Sequence, residues 1–258
     1  VTRLLIVESN STDLLAQSRS ASSYFLKAFQ ALIPQAELRV VAPYAAPLSA
    51  NVFDGVDGIV FTGSGVAWTT CDERAAPLRD AMEMAFATGL PVWGSCNGMQ
   101  LAASVLGGHV NDSPNGLEFG LASGVTFTDA GKTHPMFAGR SCGLASPCVH
   151  SHEVIRLPEG AVVLASNGHS EVQAIAYQKN GVDFWGVQYH PEMAALDVGR
   201  IANALHLKED HAAMVPDLLS ADSDADAARR LGARPEDLTP QMRMRELSNW
   251  LDYISKAA

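Results

Sequence analysis

Residues 91–98 read Pro-Val-Trp-Gly-Ser-Cys-Asn-Gly, a short apolar run ending in a cysteine with a glycine two residues away on each side. Beyond it, Met99, Leu101, Ala102, Val105 and Leu106 recur at helical spacing. A strand that turns sharply into a helix, with a thiol at the bend, is the geometry of a nucleophile elbow. Such a bend brings two backbone segments together where a Cβ has no room, hence the flanking glycines. The thiol of Cys96 then sits near a helix N-terminus, where peptide dipoles favour the thiolate and lower a cysteine pKa. This turn demands a sheet with helices layered on it.

The rest of the chain supplies that sheet. Leu4 to Val7, Leu38 to Ala42 and Gly58 to Phe61 read as strands. Residues 13–33 carry Leu14, Leu15, Ala21, Tyr24, Phe25, Ala28 and Leu32 at helical spacing, closing at Pro34. A second helix is predicted over about residues 72–88. Strands alternating with helices indicate a parallel sheet with crossover connections. From about residue 108 to 188 short strands follow one another, at Val125–Phe127, Val162–Ala165, Val172–Tyr177 and Phe184–Gln188, which predicts antiparallel additions. Helix returns after His190.

The segment from 208 onward differs in composition. Residues 220–226, Ser-Ala-Asp-Ser-Asp-Ala-Asp, read as a linker or a helix start. Thr239-Pro240 supplies a cap and a first-turn proline. Leu247, Trp250, Leu251 and Ile254 then make an amphipathic helix that needs a surface, for which docking on its own domain is the reading adopted. The expected division is a main domain over 1–207 and a helical C-terminal extension over 208–258, packed on it.

Composition excludes several function classes. Twenty-eight acidic against 18 basic residues give a net charge of −10, the wrong sign for nucleic acid or an anionic membrane surface. No apolar run is long enough for a membrane span, and the apolar stretch after Val1 is too short for a signal-peptide core. Cysteines at 71, 96, 142 and 148, sparse and not in CxxC pairs, point to a reducing cytoplasm.

A cysteine nucleophile needs a base and a group to orient that base. After a strand the chain reads Gln188-Tyr189-His190-Pro191-Glu192, which places a carboxylate two residues from an imidazole on the same side. Glu192 can accept a hydrogen bond from one ring nitrogen of His190 and leave the other facing Cys96, the logic of a triad. Three decoys fall away. Cys148, His150 and His152 alternate along a strand but lack a fourth ligand for zinc. Ala130-Gly131-Lys132-Thr133 resembles the end of a phosphate loop, which requires glycine where Thr126 stands. Gly63-Ser64-Gly65 opens like a dinucleotide fingerprint that lacks its last glycine. No metal and no cofactor is expected.

Gly-Ser-Cys-Asn-Gly-Met-Gln over 94–100, followed by Gln-Tyr-His-Pro-Glu over 188–192, resembles the class I, triad-type glutamine amidotransferases, whose motifs are written G-x-C-x-G-x-Q and Q-F-H-P-E. Thr62-Gly63-Ser64-Gly65 stands in the place of the family's oxyanion turn, and Glu118-Phe119-Gly120, Thr133–Gly139 and Leu157–Ala161 echo further family stretches. The resemblance covers about residues 4–205. It implies a flavodoxin-like α/β fold: a central, mostly parallel sheet with helices on both faces and antiparallel β additions, to which the residues from 208 onward add the C-terminal helical extension. It also implies glutamine hydrolysis at a thiolate, through catalytic Cys96, His190 and Glu192 and a γ-glutamyl thioester. Gly63, Ser64 and Asn97 would form the oxyanion hole, and Gln100, Ser151 and His152 would contact substrate. The substrate is then glutamine or another γ-glutamyl compound, with a synthetase subunit as possible acceptor of the ammonia.

Three departures stand out: Gly65 replaces a proline, which predicts a looser oxyanion turn, Ser95 replaces a bulky apolar residue, and Tyr189 replaces phenylalanine. The amidotransferase portion of GMP synthetase is the nearest echo, yet the tail from 208 is foreign to it, and neither an ATP-pyrophosphatase motif nor a P-loop occurs in these residues. Two alternatives remain open: a γ-glutamyl hydrolase acting on a conjugate, with the same triad, and a non-catalytic regulatory module.

Overall fold

The computed structural model describes residues 1–205 and 207–257. Eleven strands are formed: β1 (Arg3–Val7), β2 (Glu37–Val41), β3 (Gly58–Phe61), β4 (Pro91–Ser95), β5 (His109–Asp112), β6 (Glu118–Phe127), β7 (Leu144–His150), β8 (His152–Arg156), β9 (Val162–Ser166), β10 (Ala174–Lys179) and β11 (Val182–Val187). Nine make one sheet in the order β2-β1-β3-β4-β11-β10-β9-β6-β7. The five from β2 to β11 run parallel. Beyond β11 every pairing is antiparallel. β5 and β8 form a separate antiparallel pair.

Helices cover both faces of the parallel part, so β1 and β3 are continuous apolar runs rather than alternating ones. Successive side chains point to opposite faces. Leu4, Ile6 and Val60 therefore join Phe25, Phe29, Trp93 and Trp250 in one core. Leu5, Val7, Ile59 and Phe61 join Leu78, Met82, Met99 and Leu101 in the other. The helices Ser22–Leu32 and Arg245–Ala257 serve the first face, and Ala76–Ala87 and Asn97–Val105 the second.

One predicted element divides. The helix expected over 13–33 is two helices, Thr12–Ala16 and Ser22–Leu32, with Ser18 between them at φ 59°. The buried carboxylate of Glu8 holds the break. It accepts from the Asn10 N–H at 3.0 Å, the Ser20 hydroxyl at 2.9 Å and the Ser22 N–H at 2.8 Å. The interruption carries Arg19 and Ser20 to the rim of the main cavity.

The C-terminal amphipathic helix docks on its own chain. Leu247, Trp250, Leu251 and Ile254 are all buried in the first core, where the Trp250 ring lies 6.2 Å from Trp93. Pro240 opens only the short turn Pro240–Arg243, the Thr239 hydroxyl donating back to the Glu236 carbonyl at 2.8 Å, and the long helix starts at Arg245. Within the acidic stretch, Asp224 caps the helix Ala225–Arg230 by accepting from the N–H groups of Asp226 and Ala227. Among the described residues no helix is long and apolar enough to cross a membrane.

Register sets the site. β4 and β11 are hydrogen-bonded neighbours with Ser95 opposite Val187, and the Cys96 N–H continues the ladder to the Val187 carbonyl at 2.8 Å. Cys96 and the Gln188–Glu192 turn thus leave the sheet side by side, at the carboxyl ends of parallel strands, where sites of α/β sheets form.

Candidate active site

Cys96 occupies the bend between β4 and the helix Asn97–Val105, with φ 50° and ψ −106°. A non-glycine residue held there stores strain of about 1–3 kcal/mol, which the surroundings must overcome. The surroundings here are the two glycines: a Cβ on Gly94 would lie 2.6 Å from the Gly98 carbonyl carbon, and one on Gly98 would collide with the Phe61 carbonyl of β3. Cys96 is buried and its sulfur lies 3.8 Å from the Val149 carbonyl.

His190 Nδ1 donates to Glu192 Oε1 at 2.7 Å, and the Cys96 thiol neighbours the ring. Burial works against a charged ring, but the Glu192 carboxylate and the neighbouring Cys96 thiol outweigh it and push the imidazole up to about 10. Glu192 is itself oriented. Its Oε2 accepts from the Ser95 hydroxyl at 3.0 Å, and that hydroxyl accepts from Trp93 Nε1 at 3.0 Å. An indole N–H can only donate, so the serine proton is directed to Glu192, which must remain an acceptor. The serine that departs from the family pattern therefore orients the carboxylate bonded to the His190 ring. Ser95→Ala should lower kcat about tenfold, the loss of one hydrogen bond to a charged group, with KM unchanged in steady-state kinetics.

The turn after β3 faces Cys96 from the other side. A Cβ on Gly63 would lie 2.6 Å from His190 Cε1 and 3.7 Å from Cys96 Cβ, so only glycine lets the turn approach this pair of side chains. Among the described residues, the N–H groups of Gly63 and Ser64 have no acceptor. The looseness expected from Gly65 is not seen. Its N–H, which a proline would lack, donates to Asn10 Oδ1 at 2.8 Å, while the Ser64 hydroxyl donates to the Ser9 carbonyl at 2.8 Å. Asn97 opens the helix, where the first N–H groups have no partner within the helix.

A cavity of about 380 Å³ joins these groups. Gln100, Ser151 and His152 line it, as do Gly63, Ser64 and Asn97. Gln100 Nε2 donates to the His152 carbonyl at 2.7 Å and to Gln188 Oε1 at 3.1 Å, tying the elbow helix to the 150–152 loop. Ser151 is exposed at the rim, and the His152 ring is 3.3 Å from Asp112. Sequence reasoning missed Asn10, Arg19 and Tyr24, which the helix break and the end of β1 bring into the cavity lining.

The His152 ring pairs with Asp112 and does not join Cys148 and His150 in a ligand cluster. The cluster that forms instead is Glu118, His150 and His169, with ligand atoms within 4.8 Å of one another. Glu118 is already occupied by donors: His150 Nε2 at 2.7 Å, Gln173 Nε2 at 2.7 Å and Asn167 Nδ2 at 2.6 Å. Burial raises this carboxyl, but those bonds and the charge of His150 bring it below its ordinary value. Burial pushes the neighbouring Cys148 thiol well up, which disfavours the thiolate there.

The comparisons with known proteins agree with this architecture. Residues 27–199 match the sequence profile of the family "Glutamine amidotransferase class-I". A gamma-glutamyl-L-1-hydroxyisopropylamide hydrolase of a Pseudomonas species is 31% identical, over 98% of this chain and 92% of its own length. The GMP synthase [glutamine-hydrolyzing] of Caldicellulosiruptor saccharolyticus is 32% identical over 61% of this chain, which corresponds to only 29% of the synthase. Two crystal structures share the fold: a glutamine amidotransferase from Thermotoga maritima, with a TM-score of 0.64, 17% identity and coverage of 98% of this chain and 97% of that one, and one from Methylobacillus flagellatus, with 0.62, 20%, 99% and 92%. With an elbow cysteine, a parallel sheet of this order and a profile match over most of its length, the chain is an enzyme of the class-I glutamine amidotransferase family.

Proposed function

We propose that this enzyme hydrolyses a γ-glutamyl amide through the triad Cys96, His190 and Glu192. The observation that carries the reading is the convergence of three groups in one cavity: a thiol on a strained elbow, an imidazole neighbouring it, and a carboxylate 2.7 Å from the ring's Nδ1. The Cys96 sulfur attacks the side-chain amide carbon, and the oxyanion is held by the N–H groups of Gly63, Ser64 and Asn97. His190 gives its proton to the departing nitrogen as the C–N bond breaks. Water, losing a proton to His190, then cleaves the γ-glutamyl thioester, releasing glutamate and the free thiol. With glutamine as substrate the leaving group is ammonia, available to an acceptor enzyme.

A second substrate reading has its own support. The cavity lining includes polar residues, among them Asn10, Arg19, Ser64 and Gln100, and apolar ones, Tyr24, Leu117, Val149, Met193 and Ile201. Free glutamine has no group for those apolar side chains, whereas a γ-glutamyl derivative of an alkyl amine does. Similarity to the amide hydrolase also runs along nearly the whole chain.

Initial rates with glutamine and with γ-glutamyl isopropylamide decide between the two, and mass spectrometry of the quenched reaction tests the shared thioester. We expect a γ-glutamyl adduct on the Cys96 peptide. A higher kcat/KM for the alkylamide selects the conjugate hydrolase, and the reverse selects the glutaminase. No adduct and no turnover with either would refute the triad and leave the regulatory module.

A further inference from the structure

We infer that Arg243, from the C-terminal segment, is the positioning residue that holds the catalytic turn in working geometry, so that this chain acts without a second subunit. The inference rests on the triad proposed above.

The turn His190–Met193 lies beyond the end of β11 and has few supports of its own. His190 N–H donates to the Pro147 carbonyl at 2.8 Å and Met193 N–H to the His190 carbonyl at 3.1 Å, while Pro191 has no N–H to give. The carbonyls of Pro191 and Met193, on either side of Glu192, are both taken by one group: Arg243 Nη1 donates to them at 3.1 and 2.8 Å. Arg243 is nearly buried, so these bonds are made away from water, where an unmade one costs most. The guanidinium bridges about fifty residues of sequence to bracket the triad carboxylate.

The other side of the base is held from the same segment. Tyr189, immediately before His190, donates its hydroxyl to Glu246 Oε1 at 2.8 Å, and Glu246 is fully buried beside Arg140 at 3.2 Å. Arg243 and Glu246 are three residues apart and grip the chain before and after the reacting imidazole. They are rigid because Leu247, Trp250 and Ile254 anchor the segment in the core. None of these anchors falls within residues 27–199, which match the family profile. A displacement of about 1 Å in a catalytic group can cost 10²-fold in rate, so a grip of this kind acts on kcat.

The test uses the purified full chain with no other protein. Competent sites are counted by titration with a thiol-reactive electrophilic glutamine analogue, so that unfolded molecules do not enter kcat. Wild type should turn over its better γ-glutamyl substrate alone. Arg243→Met keeps the length and loses the donors. Its kcat per titrated site should fall about 10- to 100-fold, with KM within about twofold. The alkaline limb of kcat/KM, where His190 loses its proton, should move to lower pH, because a loosened Glu192 supports the imidazolium less. Arg243→Lys, which keeps a cation within reach, should recover part of both.

Equal kcat per site and an unchanged alkaline limb in Arg243→Met would overturn the inference. So would a wild type that labels at Cys96 but turns over only when an acceptor protein is added. Should Arg243→Met fail to fold, Arg243→Lys decides: wild-type kcat and limb refute positioning, and intermediate values support it. A wild type that neither labels nor turns over strikes the triad reading instead, which keeps the two failures apart.

Discussion

Cys96→Ala should remove turnover of glutamine and of every γ-glutamyl amide, by a factor on the order of 10⁴ or more, because the nucleophile has no substitute in the cavity. Cys96→Gly should be equally inactive and, unlike the alanine variant, more stable than wild type. Cys96 is held at φ 50°, a conformation glycine adopts freely and a residue with a Cβ does not. Relief of that strain should add about 1 kcal/mol, read as a higher urea midpoint. Opposite movements of activity and stability at one position would mark the elbow as strained for function. Activity near wild type in Cys96→Ala would refute the assignment, and a glycine variant less stable than alanine would refute the strain.

The second large effect is structural. Gly98→Val places a branched side chain against the Phe61 carbonyl, and Gly94 packs on the Gly98 backbone from the other side, so the elbow helix cannot shift without lifting off β3 and β4. A clash with backbone on both flanks has no rotamer that relieves it. We expect a loss of about 3 kcal/mol or more, with Tm lower by roughly 6–12 °C for a chain of this size, and loss of activity because Cys96 moves with the helix. A melting temperature within about 2 °C of wild type, with normal kcat, would show that the close approach is not needed.

Much of the site was legible in the sequence because its chemistry is local. Gly94, Cys96 and Gly98 lie within five residues, and His190 and Glu192 within three, so each motif could be read from local spacing. The parallel strands were legible as unbroken apolar runs. What escaped depends on contacts between distant segments. The break at Ser18 falls inside a helical pattern and is imposed by Glu8 from the end of β1. Gly65 looked like a weakened turn because the proline's absence is visible in sequence and the bond to Asn10 is not. Ser95 read as a departure from the family pattern until Glu192, 97 residues away, was seen to accept its proton. Arg243 gave no signal at all, since one arginine in a polar stretch has no period and no motif.

The docked C-terminal helix also bears on when a newly made chain becomes an enzyme. Trp250 fills the space beneath β3 and β4, elements completed more than 150 residues earlier, and Arg243 seals the turn that carries the base. Until those residues have left the ribosome, the elbow can form but the core beneath it is open and the catalytic turn is untethered. Contacts this far apart along the chain are closed late and slowly. Synthesis interrupted before residue 243 should therefore yield a thiol-bearing fragment that does no chemistry, so the order of translation delays hydrolysis until the protein can control it.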